Sequence, residues 1–444
     1  MKNVKNEFNQ CKNCKGGSIV NYFEQSKSQL EELYEKYLAV YKSVQKEGLS
    51  LDLSRGKPTA EQLDLSTPML GKSRAVSDCI SEGGVDCRNY GVPYGLPEMR
   101  AFFSELTGID QENIVIGGNS SLNLMYDSVV RAMLYGVYGS ARPWCKEERI
   151  KFLCPSPGYD RHFAICESLG IEMIPVTMGE DGPDMDAVEA LVASDASVKG
   201  IWCVPKYANP TGVTYSDEVV RRFAKMKTAA PDFRIFWDNA YLVHDVYGEG
   251  DTLLNIFDVA KDYGTEDRIF FFTSTSKITF PGAGVAMMAM SKNNLSIVLP
   301  AWCVQTIGHD KLNQLRHLEF LPDKAAVSEL MKKHGAFLRR RFDIVLDTLS
   351  RDLDGLGIAS WTKPSGGYFV SLDVLGGTAK RVFALCKEAG VTLTPAGATF
   401  PYGKDSEDKN LRLAPSYPTE AELSRAVEVL TLAVRLAALE KLLA

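Results

Sequence analysis

The chain has 444 residues, 45% hydrophobic and 24% charged, which excludes a disordered chain and provides enough apolar side chain for a core divided between two domains. A formal net charge of −6 at pH 7 and the lack of any basic run beyond Arg339-Arg340-Arg341 argue against a nucleic-acid partner. No apolar stretch reaches bilayer-spanning length and the opening residues MKNVKNEFNQ carry no hydrophobic secretion segment, so a cytoplasmic protein without membrane attachment is expected.

Residues 1–24 read as a polar tail. Of the ten cysteines, only Cys11 and Cys14 form a C-x-x-C pair, without a second pair or nearby histidines to complete a metal site. Others, such as Cys154, Cys166, Cys203 and Cys386, stand alone in apolar surroundings, as reduced buried thiols do. Leu30, Leu33, Tyr34, Tyr37, Leu38 and Tyr41 recur at helical spacing, and Gly48 closes that helix. The following Leu51-Asp-Leu-Ser-Arg-Gly-Lys-Pro58 is a short strand entering a turn where Gly56 allows backbone to approach a ligand.

A turn-rich loop from Asn89 to Pro97 presents Tyr90 and leads into a helix, and residues 114–116 form a strand. Gly117-Gly118-Asn119-Ser120-Ser121 then opens the apolar helix 122–135. Small residues at a helix start suit either an anion, held by free N–H groups and the helix dipole, or an ordinary cap. Strands and helices alternate through the centre: strands at 151–154, 171–176, 200–204, 234–237 and 269–273, and helices at 161–169, 185–192 and 217–227. This alternation predicts a mostly parallel sheet covered on both faces, with ligands beyond the carboxyl ends of the strands. Ser120, Tyr159, Asn209, Asp238, Tyr241 and Lys277 all fall at such ends. Lys277 closes Thr273-Ser-Thr-Ser-Lys277, where an apolar strand delivers one amine among hydroxyls. A buried lysine loses proton affinity and becomes a nucleophile toward carbonyl groups. From residue 323, two long helical stretches surround short strands at 358–361, 366–372 and 411–413. The expected division is a segment 25–65 packing with a small domain at 323–444, around a large domain at 66–322.

The ordered set N-P-T-G (209–212), D-x-A-Y (238–241) and S-x-S-K (274–277), with Y-x-x-x-x-G-L (90–96), P-S-G-G-Y-F (364–369) and L-R-L (411–413), resembles class I pyridoxal-phosphate-dependent aminotransferases of fold type I. Closest is subgroup Ic of the bacterial aspartate aminotransferases. The resemblance implies an α/β fold, a large domain with a mostly parallel seven-stranded sheet between helices and a smaller α+β domain. It implies pyridoxal 5'-phosphate as cofactor, a Schiff base at Lys277, and Asp238 on the pyridine nitrogen. Tyr241 and Asn209 are then assigned to the phenolate oxygen, Tyr159 to the ring face, and Ser120, Ser274 and the Asn119 amide to the phosphate. Tyr90 is expected to reach across from the partner of a homodimer. Arg412 would receive the substrate α-carboxylate, with Asn209 and the Gly56 backbone beside it. The implied reaction moves the amine of L-aspartate to 2-oxoglutarate in a ping-pong sequence, giving oxaloacetate and L-glutamate.

One departure stands out. Most relatives carry an arginine eight residues beyond the lysine to neutralise the phosphate, and here that position is Val285. Hydroxyls and backbone amides are expected to carry the load, with Arg55 and Lys206 as candidate cations. A β-lyase or decarboxylase on the same fold uses the same lysine, aspartate and arginine and stays open. A regulator that borrows this domain is disfavoured, since about 25 residues precede the first helix, too few for a winged helix.

Overall fold

The computed structural model describes residues 20–73 and 75–444. The Cys11/Cys14 pair and most of the expected tail lie outside them. The centre is a seven-stranded sheet ordered β2-β8-β7-β6-β5-β3-β4. Its strands are β2 (Ile114–Ile116), β3 (Lys151–Ser156), β4 (Glu172–Thr177), β5 (Val198–Cys203), β6 (Arg234–Asp238), β7 (Ile269–Ser274) and β8 (Ala286–Ala289). β3 to β7 pair in parallel, and β8 runs antiparallel to both β2 and β7. β8 is invisible to alternation because Ala-Met-Met-Ala is buried on both faces.

Successive residues of the strands divide between two cores, as the two-residue period requires. Phe152, Trp202, Phe236, Phe270 and Phe272 join helices Ser121–Tyr135, Asp160–Ser168 and Lys292–Gln305 on one face. Leu153, Ile201, Cys203, Ile235, Trp237 and Phe271 join helices Pro97–Thr107, Met185–Ser194, Asp217–Lys225 and Ile256–Tyr263 on the other. Each large side chain withdrawn from water in this way contributes roughly 1.5–3 kcal/mol before entropy is counted.

A three-stranded antiparallel sheet lies beyond it, with β9 (Ala359–Trp361), β10 (Val370–Val374) and β12 (Asn410–Leu413) in the order β12-β10-β9. Helix Glu420–Leu443 shares one core with this sheet and with helix Lys27–Gln45, which starts on a Ser26/Gln29 capping box. Tyr41 fixes that helix by donating to the Leu385 carbonyl at 2.8 Å. β1 (Leu51–Asp52) pairs in parallel with β11 (Val391–Thr392) in a separate two-stranded sheet, so the turn bearing Gly56 is stitched to the C-terminal unit. Helix Lys324–Leu353 starts where a boundary is expected, but belongs to both sides. Val327, Leu330 and Met331 pack under the large sheet, and Phe342, Val345 and Leu349 under the small one.

Candidate active site

Lys277, Asp238, Tyr241, Asn209, Tyr159, Ser120, Ser274 and Gly56 line one cleft at the carboxyl ends of the large sheet's strands, enclosing about 740 Å³, part of it open to solvent. Backbone bonds between neighbouring strand ends set the key pair. Asn239 N–H donates to the Phe272 carbonyl at 2.9 Å, and the Thr273 hydroxyl donates back to the Asn239 carbonyl at 2.9 Å. Asp238 at the end of β6 is thereby held beside the turn that carries Lys277. Burial lowers the Lys277 pKa, and the Asp238 charge opposes that shift. Its Nζ lies 4.8 Å from the centre of the Tyr241 ring. Burial raises the phenol pKa of Tyr241 well above its ordinary value and pushes that of Tyr159 up to about 12.

Of Thr273-Ser-Thr-Ser, the first two residues end β7 and the last two lie in the turn that follows. Thr275 turns inward, accepting from Val285 N–H at 2.9 Å and meeting His317 Nε2 at 3.0 Å. Ser274 and Ser276 turn to the cleft, with Ser274 Oγ donating to Ser276 Oγ at 3.0 Å and Ser276 Oγ to the Asn119 carbonyl at 3.0 Å. Opposite them, Ser120 caps helix Ser121–Tyr135 by position, yet its side chain makes no capping bond. Ser121 also lines the cleft.

Glycines let the motifs meet. Gly212 of N-P-T-G has φ +73°, and a Cβ there would lie 2.3 Å from Cβ of Pro364, the start of P-S-G-G-Y-F. That segment bonds to the loop after D-x-A-Y, through Gly367 N–H to the His244 carbonyl and Val246 N–H to the Ser365 carbonyl, both at 2.9 Å. It places Phe369 on the cleft wall against Gly56, where a Cβ would stand 2.1 Å from the ring. Arg412 lies behind, its guanidinium carbon 5.0 Å from the centre of the Phe369 ring. It donates to Asp160 Oδ1 at 2.7 Å, Asn209 Oδ1 at 3.4 Å and Thr394 Oγ1 at 3.3 Å.

Three expected residues are not on the cleft wall: Arg412, which stands behind Phe369, Asn119 and Tyr90. Asn119 turns its side-chain amide to the carbonyls of Pro281 and Gly282. Tyr90 is 82% exposed. Neither candidate cation stands there either. Arg55 pairs with Asp52 at 2.8 Å, and Lys206 donates to Asp245 at 2.9 Å and to the Leu242 carbonyl at 3.1 Å. Both are occupied in shaping their own loops. Val285 is buried, with its N–H and carbonyl both bonded to Thr275.

Sequence reasoning passes over Ser276, Ser121, Phe369 and His162. Ser276 and Phe369 lie inside motifs already singled out, but which side chains face the cleft depends on strand phase and on loop packing. His162 sits three residues after Tyr159 on helix Asp160–Ser168, where an inward histidine reads as packing. Its Nε2 lies 3.1 Å from Asp238 Oδ2, and its ring stacks on Trp202 at 4.5 Å.

The other carboxylate oxygen, Asp238 Oδ1, is shut from solvent and has no hydrogen-bond partner among the described residues. A buried acceptor without a donor is costly, and a protonated pyridine nitrogen supplies that donor. The hydroxyls and helix N-terminus opposite suit a phosphate. The residues present therefore fit pyridoxal phosphate.

Fold and cleft together define a pyridoxal-phosphate-dependent aminotransferase of fold type I. Residues 25–444 match the family described as aspartate amino-transferase, and the chain belongs to that family. A Mycolicibacterium smegmatis protein assigned as an aminotransferase is 51% identical over 404 residues, covering 91% of this chain and 94% of its own. The aspartate aminotransferase of Corynebacterium glutamicum is 45% identical over 400 residues, covering 90% and 92%. A crystal structure of an aspartate transaminase from C. glutamicum superposes with a TM-score of 0.93 at 43% identity, covering 96% of this chain and all of the other. Among the described residues, no helix is long and apolar enough to cross a membrane.

Proposed function

We propose that this aminotransferase takes the amine of L-aspartate and delivers it to 2-oxoglutarate, forming oxaloacetate and L-glutamate. The observation that carries the substrate is the likeness, over nine-tenths of the chain, to the C. glutamicum aspartate aminotransferase. The cofactor, when bound, supplies an aldehyde that captures the substrate amine and a protonated ring that accepts the electron pair of the Cα–H bond.

The chain's own residues do the rest. Lys277, whose pKa burial lowers, provides the Nζ that takes the proton from the substrate Cα. Asp238 would offer its unpartnered Oδ1 to the ring nitrogen and hold its proton, while His162 fixes the other oxygen. Tyr241 and Asn209 hydrogen-bond the phenolate oxygen, and Tyr159 covers the ring face. Ser120, Ser121, Ser274 and Ser276 hold the phosphate. Arg412 receives the α-carboxylate beside Asn209 and the Gly56 backbone.

The exposed Tyr90 supports a homodimer in which it enters the partner's cleft, so the solution mass should be twice the 49.0 kDa of one chain. Closure of the small-sheet unit with residues 25–65 over the large domain would exclude water from the cleft. The eight free cysteines among the described residues support a cytoplasmic setting.

The test is the visible absorbance of the holoenzyme. L-aspartate without an oxo acid should bleach the yellow form, and 2-oxoglutarate should restore it. A yellow holoenzyme that aspartate leaves unchanged removes the substrate assignment. Release of ammonia or carbon dioxide from aspartate would instead establish lyase or decarboxylase chemistry.

A further inference from the structure

We propose that Asp160 is a positioning residue that occupies Arg412 in place of the substrate α-carboxylate and must let go before substrate binds. The proposal rests on the reading of Arg412 as the carboxylate receiver. Asp160 is the first residue of the helix that follows β3 in the large sheet, and Arg412 lies on β12 of the small one. Their 2.7 Å ion pair therefore ties the two sheet units together.

The nitrogen inventory of Arg412 makes the two carboxylates competitors. A guanidinium grips a carboxylate best through two adjacent N–H groups. Nη1 carries two protons, directed to Asp160 and Asn209. Nε is sealed from solvent and has no partner among the described residues. The Nε/Nη2 edge is thus closed to an incoming ligand. Nη2 also carries two protons and gives one to Thr394, so the remaining pair, Nη1 and Nη2, lacks a free Nη1 proton, which displacement of Asp160 supplies.

Exposure gives the exchange its direction. The Arg412 side chain is 9% exposed and that of Asp160 33%. A buried guanidinium is stabilised by a paired anion, whereas the released aspartate regains water. Asp160 keeps Arg412 paired between turnovers and weakens the binding of amino acid and oxo acid alike, since both present the same carboxylate.

Calorimetric titration of the holoenzyme with succinate, a dicarboxylate that carries no amine to react, tests this together with steady-state kinetics. Asp160→Asn should bind succinate about fivefold more tightly, the scale of a partly exposed charge pair. KM for the amino acid and for the oxo acid should fall by a similar factor, more than any change in kcat. Asp160→Ser, which also removes the charge, serves if the asparagine variant fails to fold. Unchanged or weaker succinate binding in a folded variant overturns the proposal. Arg412→Ala separates the two readings: if it binds succinate as the parent does, the carboxylate role of Arg412 fails and this inference with it. If Arg412→Ala loses succinate while Asp160→Asn gains nothing, only the inference fails.

Discussion

His162 Nε2 stands 3.1 Å from Asp238 Oδ2, and the two side chains are only 2% and 3% exposed. This contact consumes one carboxylate oxygen and leaves the other buried without a partner among the described residues. A carboxylate held at one oxygen cannot swing away when charge on the ring changes. Replacing His162 with Phe keeps an aromatic over Trp202 but removes the bond. The loss of one buried hydrogen bond to a charged group predicts roughly a tenfold or greater fall in kcat. A pH titration of holoenzyme absorbance should shift in parallel, whereas a purely structural role for His162 would leave that titration in place.

Lys277→Ala should abolish transamination while the fold survives, because the amine faces the cleft and no described hydrogen bond of the core runs through it. Asp238→Ala should weaken cofactor retention and nearly eliminate turnover. Circular dichroism and single-turnover absorbance separate lost chemistry from lost fold. Appreciable transamination by the Lys277→Ala protein would sink the assignment of this lysine.

The lowered Lys277 pKa has a definite sign in the cofactor-free enzyme. Below 10.5, the value for an unperturbed lysine, an unfolded chain holds a proton that the folded lysine has begun to release. Stability therefore rises with pH across this window, is fully present above the unfolded pKa, and is lost as pH falls toward the folded one. Urea midpoints of the apoenzyme should show that slope, and Lys277→Met should lack it. Uptake of pyridoxal phosphate, which needs the neutral amine, should reach its maximal rate below pH 10.5.

The fold's central strands and the chemistry-bearing motifs are legible in the sequence because buried parallel strands are short apolar runs that end in polar turns. β6 and β7, ending at Asp238 and just before Lys277, show this most directly. β8 is not legible, since Ala-Met-Met-Ala has no polar face to mark its period. Nor is the pairing of Arg412 with Asp160, which brings together residues 252 positions apart. Lys206 illustrates the converse. Its place beside N-P-T-G suggests a site cation, but the partner that fixes it, Asp245, lies in a loop that only tertiary packing brings near.

Gly56→Ala should weaken both substrates by crowding Phe369. The added methyl carbon would stand 2.1 Å from the ring, so the ring must turn into the cleft or the β1 turn must shift. Overpacking of this kind costs about 1–3 kcal/mol, and KM should rise for amino acid and oxo acid together. Gly56→Ala/Phe369→Leu should recover part of the loss. Failure of this double variant to recover any affinity would mean that the methyl group acts on the backbone and not on the ring.

The phosphate must be held without the usual arginine. Val285 is buried and bonded through both backbone groups to Thr275, and Arg55 and Lys206 are engaged with Asp52 and Asp245. That leaves the hydroxyls of Ser120, Ser121, Ser274 and Ser276 on the cleft wall, with the N-terminus of a 15-residue helix. Hydrogen bonds to a charged group contribute about 1.5–3 kcal/mol each, so removing two should weaken cofactor binding roughly 100-fold or more. Ser120→Ala/Ser274→Ala should therefore lose pyridoxal phosphate on dialysis where the parent retains it, and regain activity only at high added cofactor. Pyridoxal lacking the phosphate should bind the double variant and the parent almost equally, which separates a phosphate effect from general damage to the cleft. An unchanged affinity for pyridoxal phosphate would mean that the charge is balanced from outside this set, with the partner subunit as the first place to look.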